Sequence, residues 1–294
     1  MVDFVASPAT RAYAAQKGVD LSALAVETGR TNLAREDVER KLSGAAPVAV
    51  SAADPWAVDH GQWGPVRHEP LSKLMQLGAA NLSVAQRLIP AVTHHDEAEM
   101  DAVKALRAGL RADAAEKGVK LTALAFHVLA LAACLKAFPR FNASLTPDGT
   151  ALVLKDYVHV GVAVDTPNGL MVPVIRDADR KGLLAVAAEI ADLAARAQAR
   201  KIRPDEMGGA SMSISSLGGI GGSAFTPIVN PPEVAILGIT RAQMRPHWSG
   251  EAFEPRLTVP LDLSYDHRAI NGADAARFLS FYARLIADPR RLLL

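Results

Sequence analysis

Ser264-Tyr265-Asp266-His267-Arg268-Ala269-Ile270-Asn271-Gly272 places one imidazole between an acid and a base, with an amide four residues on. Histidine is the side chain whose ordinary pKa, near 6.5, suits it to take and return a proton at neutral pH. Flanking charges and an amide are groups that can fix its ring and its tautomer, as a general base requires. Asp-His-Arg alone is equally compatible with a structural histidine; the trailing Asn-Gly makes the string more specific.

The string resembles the active-site signature of the acyltransferases that form the core of the 2-oxo acid dehydrogenase complexes. The resemblance continues through Ala273-Asp274-Ala275-Ala276-Arg277-Phe278-Leu279. It returns upstream in Ser213-Ile214-Ser215-Ser216-Leu217-Gly218 and in Ala224-Phe225-Thr226-Pro227-Ile228-Val229-Asn230-Pro231-Pro232-Glu233. It implies an α/β (α+β) fold, a mixed-sheet sandwich of the chloramphenicol-acetyltransferase type. It also implies acetyl transfer between a dihydrolipoyl thiol and coenzyme A, in the core of a pyruvate dehydrogenase complex. The chemistry suits these residues. A thiol near pKa 8.5 must become a thiolate to attack a thioester. His267 would remove that proton, and Ser215 would donate to the oxyanion that forms. Asn271 would assist the histidine. Phe225 would line the coenzyme channel and Arg107 would meet a coenzyme phosphate, although a solvated helix face suits Arg107 better on pattern alone. The same chemistry on a succinyl or branched acyl group, a non-catalytic scaffold and an antibiotic O-acetyltransferase are the rival readings.

The elements that must position these groups follow from the pattern of the chain. Ser7-Pro8 opens a helix over 9–17 that Gly18 ends, and 35–42 reads as a second helix. Residues 5–42 resemble the peripheral subunit-binding domain of the same family, which grips partner enzymes through arginines. Arg11 and Arg30 are the partner-binding candidates, toward pyruvate dehydrogenase and dihydrolipoamide dehydrogenase. The match is incomplete: Ala15, Glu27, Asn32 and Ala34 depart from the family pattern. Residues 43–69, with Pro47, Pro55 and Pro65, read as an Ala/Pro linker, and 70–294 as the catalytic domain. Helices are expected over 97–116, 121–138 and 183–202, and strands over 157–164, 170–175, 211–215, 235–241 and 257–263, with Asn168-Gly169 as a hairpin turn.

Composition narrows the classes. The net charge of +1 gives no field for nucleic acid or an acidic membrane surface. The single cysteine, Cys134, excludes an internal disulfide and reads as a core thiol. No apolar run reaches the length of a spanning helix, and a bacterial cytoplasmic location is expected. His94, His95 and Asp96 are adjacent, so they cannot share one metal on a regular element, and no metal is expected. No lipoyl hairpin is visible, so the lipoyl group is expected from a domain absent from this chain. The family implies a homotrimer with His267 and Ser215 from neighbouring subunits, assembling into a 24-subunit cube through the apolar terminal leucines.

Overall fold

The computed structural model describes residues 5–28, 32–42 and 58–293. The chain divides into two compact units, residues 1–69 and 70–294. The expected partner-binding residue Arg30, most of the expected linker and the final leucine lie outside the described residues.

In the first unit, α1 (Pro8–Gln16) begins as its sequence dictates. Ser7 is the N-cap, its hydroxyl accepting from the Thr10 amide at 3.1 Å, and Pro8 fills the first turn. A second helix, α2 (Leu21–Thr28), was not foreseen. It starts at Asp20, whose carboxylate accepts from the Ser22 amide at 2.8 Å. The third helix, α3 (Arg35–Leu42), follows a two-residue strand, β2 (Asn32–Leu33), that pairs in parallel with β1 (Val5–Ala6). Ala34 replaces a polar cap there. Asp37 compensates: its carboxylate accepts from the Ala34 amide at 2.9 Å, which is the reciprocal half of a capping box. Ala6, Ala14, Leu24, Ala25, Leu33 and Val38 form the small core.

The second unit is built on a seven-stranded mixed sheet. Its strands are β3 (Ala91–Glu99), β6 (Val160–Val162), β9 (Val174–Ile175), β10 (Met212–Ser216), β11 (Ala235–Ile239), β12 (Gln243–Trp248) and β13 (Phe253–Asp266). Small two-stranded ribbons, β4 (Ala143–Leu145) with β5 (Leu152–Leu154) and β7 (Val164–Thr166) with β8 (Gly169–Met171), flank it. The order across the sheet is β12-β13-β11-β10-β6-β9, with β3 on the second edge of β13. β13 is the organising strand. It is 14 residues long and alternates strictly: Val259, Leu261, Leu263 and Tyr265 enter the hydrophobic core, while Thr258, Pro260, Asp262, Ser264 and Asp266 face the other way. A period of two puts every second side chain on one face.

Helices cover the apolar face, and the helix over 73–88 adds Ala85 to a small cluster with Ile236 on the other. α7 (Ala123–Ala137) is apolar nearly all round and buried, as its composition requires, and packs against α8 (Leu183–Gln198) and α9 (Gly272–Ala287). The single long helix expected over 97–116 does not form. Glu97 and Glu99 belong to β3, and the helix beyond breaks at Leu110 into α5 (Asp101–Gly109) and α6 (Arg111–Glu116). The physical reason is Gly109, the poorest helix residue after proline. The strand edge wins over helical spacing at 97–99 because β13 offers a full ladder of partners, from Thr258 opposite Glu99 to Asp266 opposite Ala91. An additional helix, α4 (Lys73–Leu88), was also missed; Ser72 caps it at 3.1 Å from the Met75 amide. The expected strand over 157–164 is interrupted, β6 and β7 being separated at Ala163.

Candidate active site

β13 ends at Asp266, and the turn to α9 carries His267. The turn is tied down from three sides. The Asp266 amide donates to the Val234 carbonyl at 2.8 Å, the His267 amide to the Pro90 carbonyl at 3.2 Å, and the Arg140 guanidinium to the Ala269 carbonyl at 2.9 Å. Asp266 is buried, and its carboxylate takes a bidentate pair from Arg268 at 2.6 and 2.9 Å. That pairing holds the Arg268 guanidinium above its ordinary pKa. The two charges are spent on each other, so Asp266 and Arg268 fix the backbone on either side of His267 and leave the imidazole exposed. The ring lies 5.8 Å from that of Tyr265.

Asn271 is the N-cap of α9. Its Oδ1 accepts from the Asp274 amide at 2.9 Å. The side-chain oxygen is therefore committed to the helix, and its Nδ2 hydrogens remain available beside the histidine turn. Capping of this kind is worth about 0.5–2 kcal/mol, so Asn271 has a structural duty that its spacing from His267 did not reveal.

Ser215 is half-buried on β10 and does not meet His267 within one protomer. It pairs with Gly238 of β11, which pairs with Asp262 of β13. His267 is five residues beyond Asp262, just past the end of β13, so strand rise and spacing separate it from Ser215 by roughly 19 Å. A site using both needs a second copy of the chain.

Phe225 lies where Gly238 leaves room. A Cβ on Gly238 would sit 2.7 Å from the Phe225 ring, so the absent side chain is what admits the aromatic face next to Ser215. Two residues from Ser215, Ser213 is buried and donates to Glu233 Oε1 at 2.9 Å. Burial raises the Glu233 carboxyl to about 7, opposed by its hydrogen bonds from Ser213 and Asn230. Neither Glu233 nor α4 was singled out from sequence as part of this region. The signal for Glu233 is the one acid inside the stretch 227–239, where Asn230 is the other polar residue.

Arg107 is exposed at the end of α5. With Lys104, Arg111 and Lys120 it lines a cavity of about 670 Å³. Arg107 is thus on a solvated helix face, as its pattern suggests, with three other cations around the same concavity. In the first unit, Arg11 donates to the Ala6 carbonyl at 3.1 Å. Burial leaves the Cys134 thiol inert, its pKa pushed well up. Among the described residues no group of three or more His, Cys, Asp or Glu side chains could hold a metal ion.

Residues 64–294 match the model of the 2-oxoacid dehydrogenases acyltransferase catalytic domain. The chain belongs to this family. It is 49% identical over 98% of its length to the dihydrolipoyllysine-residue acetyltransferase component of the pyruvate dehydrogenase complex of Pseudomonas aeruginosa, and 48% identical to that of Azotobacter vinelandii. It spans 55% and 47% of those relatives, about half their length. The solved Azotobacter vinelandii dihydrolipoamide acetyltransferase superposes with a TM-score of 0.80 at 52% identity, covering 81% of this chain and 98% of that one. The cubic core of a pyruvate dehydrogenase multienzyme complex superposes with the same score at 53% identity.

Proposed function

We propose that this chain transfers an acetyl group between a dihydrolipoyl thiol and coenzyme A, at a site completed by a second copy of itself. The observation that carries the reading is the separation of Ser215 from His267 in one protomer, each presented toward solvent from a fixed backbone. The solved Azotobacter structure comes from an investigation of one serine, one histidine and one asparagine in that enzyme's catalytic mechanism. In that enzyme the serine stands 610 − 558 = 52 residues before the histidine and the asparagine 614 − 610 = 4 after it; here the intervals are 267 − 215 = 52 and 271 − 267 = 4.

In the reaction His267 takes the proton from the attacking thiol, the resulting sulfur attacks the thioester carbonyl, and Ser215 of the adjoining copy donates to the oxyanion. Collapse expels the second thiolate, which recovers the proton from the imidazole. The Asn271 amide, held by its cap, orients the loop. Such a donor is worth roughly 10²–10³ in rate and such a base 10²–10⁴. Lys104, Arg107, Arg111 and Lys120 would hold the phosphates of coenzyme A. The lipoyl group comes from a lipoyl domain. A trimer, assembling further into a cube, and association with the decarboxylase and dihydrolipoamide dehydrogenase through the first unit with Arg11 and Arg30 extend the same reading, as does a bacterial cytoplasmic location. The domain division at 5–42, 43–69 and 70–294 is part of it.

The test is acetyl transfer from acetyl-coenzyme A to dihydrolipoamide by the intact chain, followed by mass measurement in solution. His267→Ala and Ser215→Ala should each lower the rate by orders of magnitude without dissociating the oligomer. A monomer of full activity would refute the shared site.

A further inference from the structure

One row of residues crosses the polar face of the sheet at the level of Ser215. Ser215, Gly238, Asp262 and His95 stand side by side on β10, β11, β13 and β3. Asp262 is 1% exposed, and both of its oxygens are engaged: Oδ1 receives the His95 Nδ1 hydrogen at 2.6 Å, and Oδ2 receives the Phe225 amide hydrogen at 3.3 Å. Asp262 Cβ and the Phe225 ring both pack into the space that a side chain on Gly238 would fill, at 3.1 and 2.7 Å from its ideal Cβ. His95 is the outer end of the chain of contacts, its ring half in solvent.

We propose that Asp262, clamped by His95, is a positioning residue that fixes the Phe225 ring against Gly238 and thereby sets how large an acyl group fits beside Ser215. It rests on the reading of Ser215 as the oxyanion donor. The carboxylate has no role in the reaction itself: Ser215 and Asp262 stand two strands apart, about 10 Å, so it touches no reacting atom. Its effect passes through the amide of Phe225. That segment follows the glycine run 218–222 and is anchored farther along by the buried Val229; at Phe225 itself the backbone is tied to the sheet by its hydrogen bond to Asp262. A looser wall admits a longer acyl chain and gives no gain for acetyl.

The experiment compares kcat/KM for acetyl-, propionyl- and isobutyryl-coenzyme A with dihydrolipoamide in the intact protein and in Asp262→Ala, Asp262→Asn and His95→Ala. Discrimination by one methylene in a closed pocket is about tenfold or more. Asp262→Ala should reduce the acetyl-over-propionyl ratio by about tenfold, on the same basis, chiefly through the larger donor. Asp262→Asn keeps an oxygen for the Phe225 amide and should retain the ratio. His95→Ala, at a half-exposed side chain, should shift it in the same direction and less. An unchanged ratio in Asp262→Ala overturns the proposal; if that variant does not fold, an unchanged ratio in His95→Ala overturns it. Ser215→Ala in the same assay separates the two readings: retention of full acetyl transfer there removes Ser215 from the site, whereas loss there with an unchanged ratio in the Asp262 and His95 variants removes the clamp alone.

Discussion

Gly238→Ala places a methyl group 2.7 and 2.8 Å from two carbons of the Phe225 ring and 3.1 Å from Asp262 Cβ. Atoms of this kind attract at about 3.5–4.0 Å and repel steeply inside that distance, so the ring must move by close to an ångström. The backbone cannot give way, because Gly238 lies mid-ladder between Ser215 and Asp262. The Phe225 amide is tied to the Asp262 carboxylate, so the ring must yield by turning about its own side-chain bonds. Overpacking of this sort costs about 1–3 kcal/mol, a lowering of Tm by several degrees in a unit of this size. The displaced ring also crowds the position of the acyl group next to Ser215, so acetyl transfer should fall by roughly tenfold or more, since about 1.4 kcal/mol is one decade of rate. Thermal unfolding and the steady-state rate with acetyl-coenzyme A measure the two effects. Unchanged stability together with an unchanged rate would refute the packing argument, and with it the placement of Phe225 at the site.

Further outcomes follow from the same geometry. Asn271→Ala should destabilise α9 by about 1 kcal/mol, and Asn271→Asp, which keeps the capping oxygen and places a negative charge in the first turn, should preserve stability; a rate loss in Asn271→Asp with normal unfolding isolates the amide's role beside His267. His127 is buried against Tyr282, its Nδ1 2.7 Å from the phenolic oxygen, and desolvation lowers it to about 4. A lowered histidine binds its proton more weakly folded than unfolded, so its contribution is present above about pH 6.5 and is lost as pH falls toward 4; His127→Phe should flatten that part of the acid-unfolding curve monitored by circular dichroism. Arg107→Ala should raise the KM for coenzyme A with less effect on kcat, and the wild-type KM should rise with salt, because a cation cluster acts through screened attraction.

How much of this was legible in the sequence depends on which contacts decide each element. β10 and β11 are local and regular, and α7 is apolar along its whole length, so pattern alone found them, while the histidine turn needed the family resemblance of its full string. The continuous helix over 97–116 failed because periodicity sees only the chain itself, and β3 exists because β13 supplies a nine-residue ladder from a partner more than 150 residues away. The Asp37 cap of α3 was missed because Ala34 removes the usual signal, and the reciprocal acid three residues on restores the bond from the far side; α2 carries an ordinary Asp20 cap that the reading passed over. At the site, His267 was readable because its turn is a sequence-contiguous motif. The row from Ser215 to His95 was not, because its four members come from four strands, and only register brings them level.

The register also bears on the proposed sharing of the site between two copies of the chain. If Ser215 and His267 belonged to one site within a protomer, the sheet would have to fold back on itself across two strands. Gly238 instead pairs with Asp262 and holds the two residues apart, so under the proposed function each protomer would offer its histidine to one junction and its serine to another. A hybrid oligomer tests this directly. Subunits carrying His267→Ala mixed with subunits carrying Ser215→Ala should recover activity that neither has alone, since some junctions then pair an intact histidine with an intact serine. For randomly mixed equal amounts, a junction between two chains is intact in one orientation out of four, so about a quarter of wild-type activity is expected. Recovery of nothing from a mixture shown by mass to have exchanged subunits would place both residues in one chain and contradict the separation read from the strands.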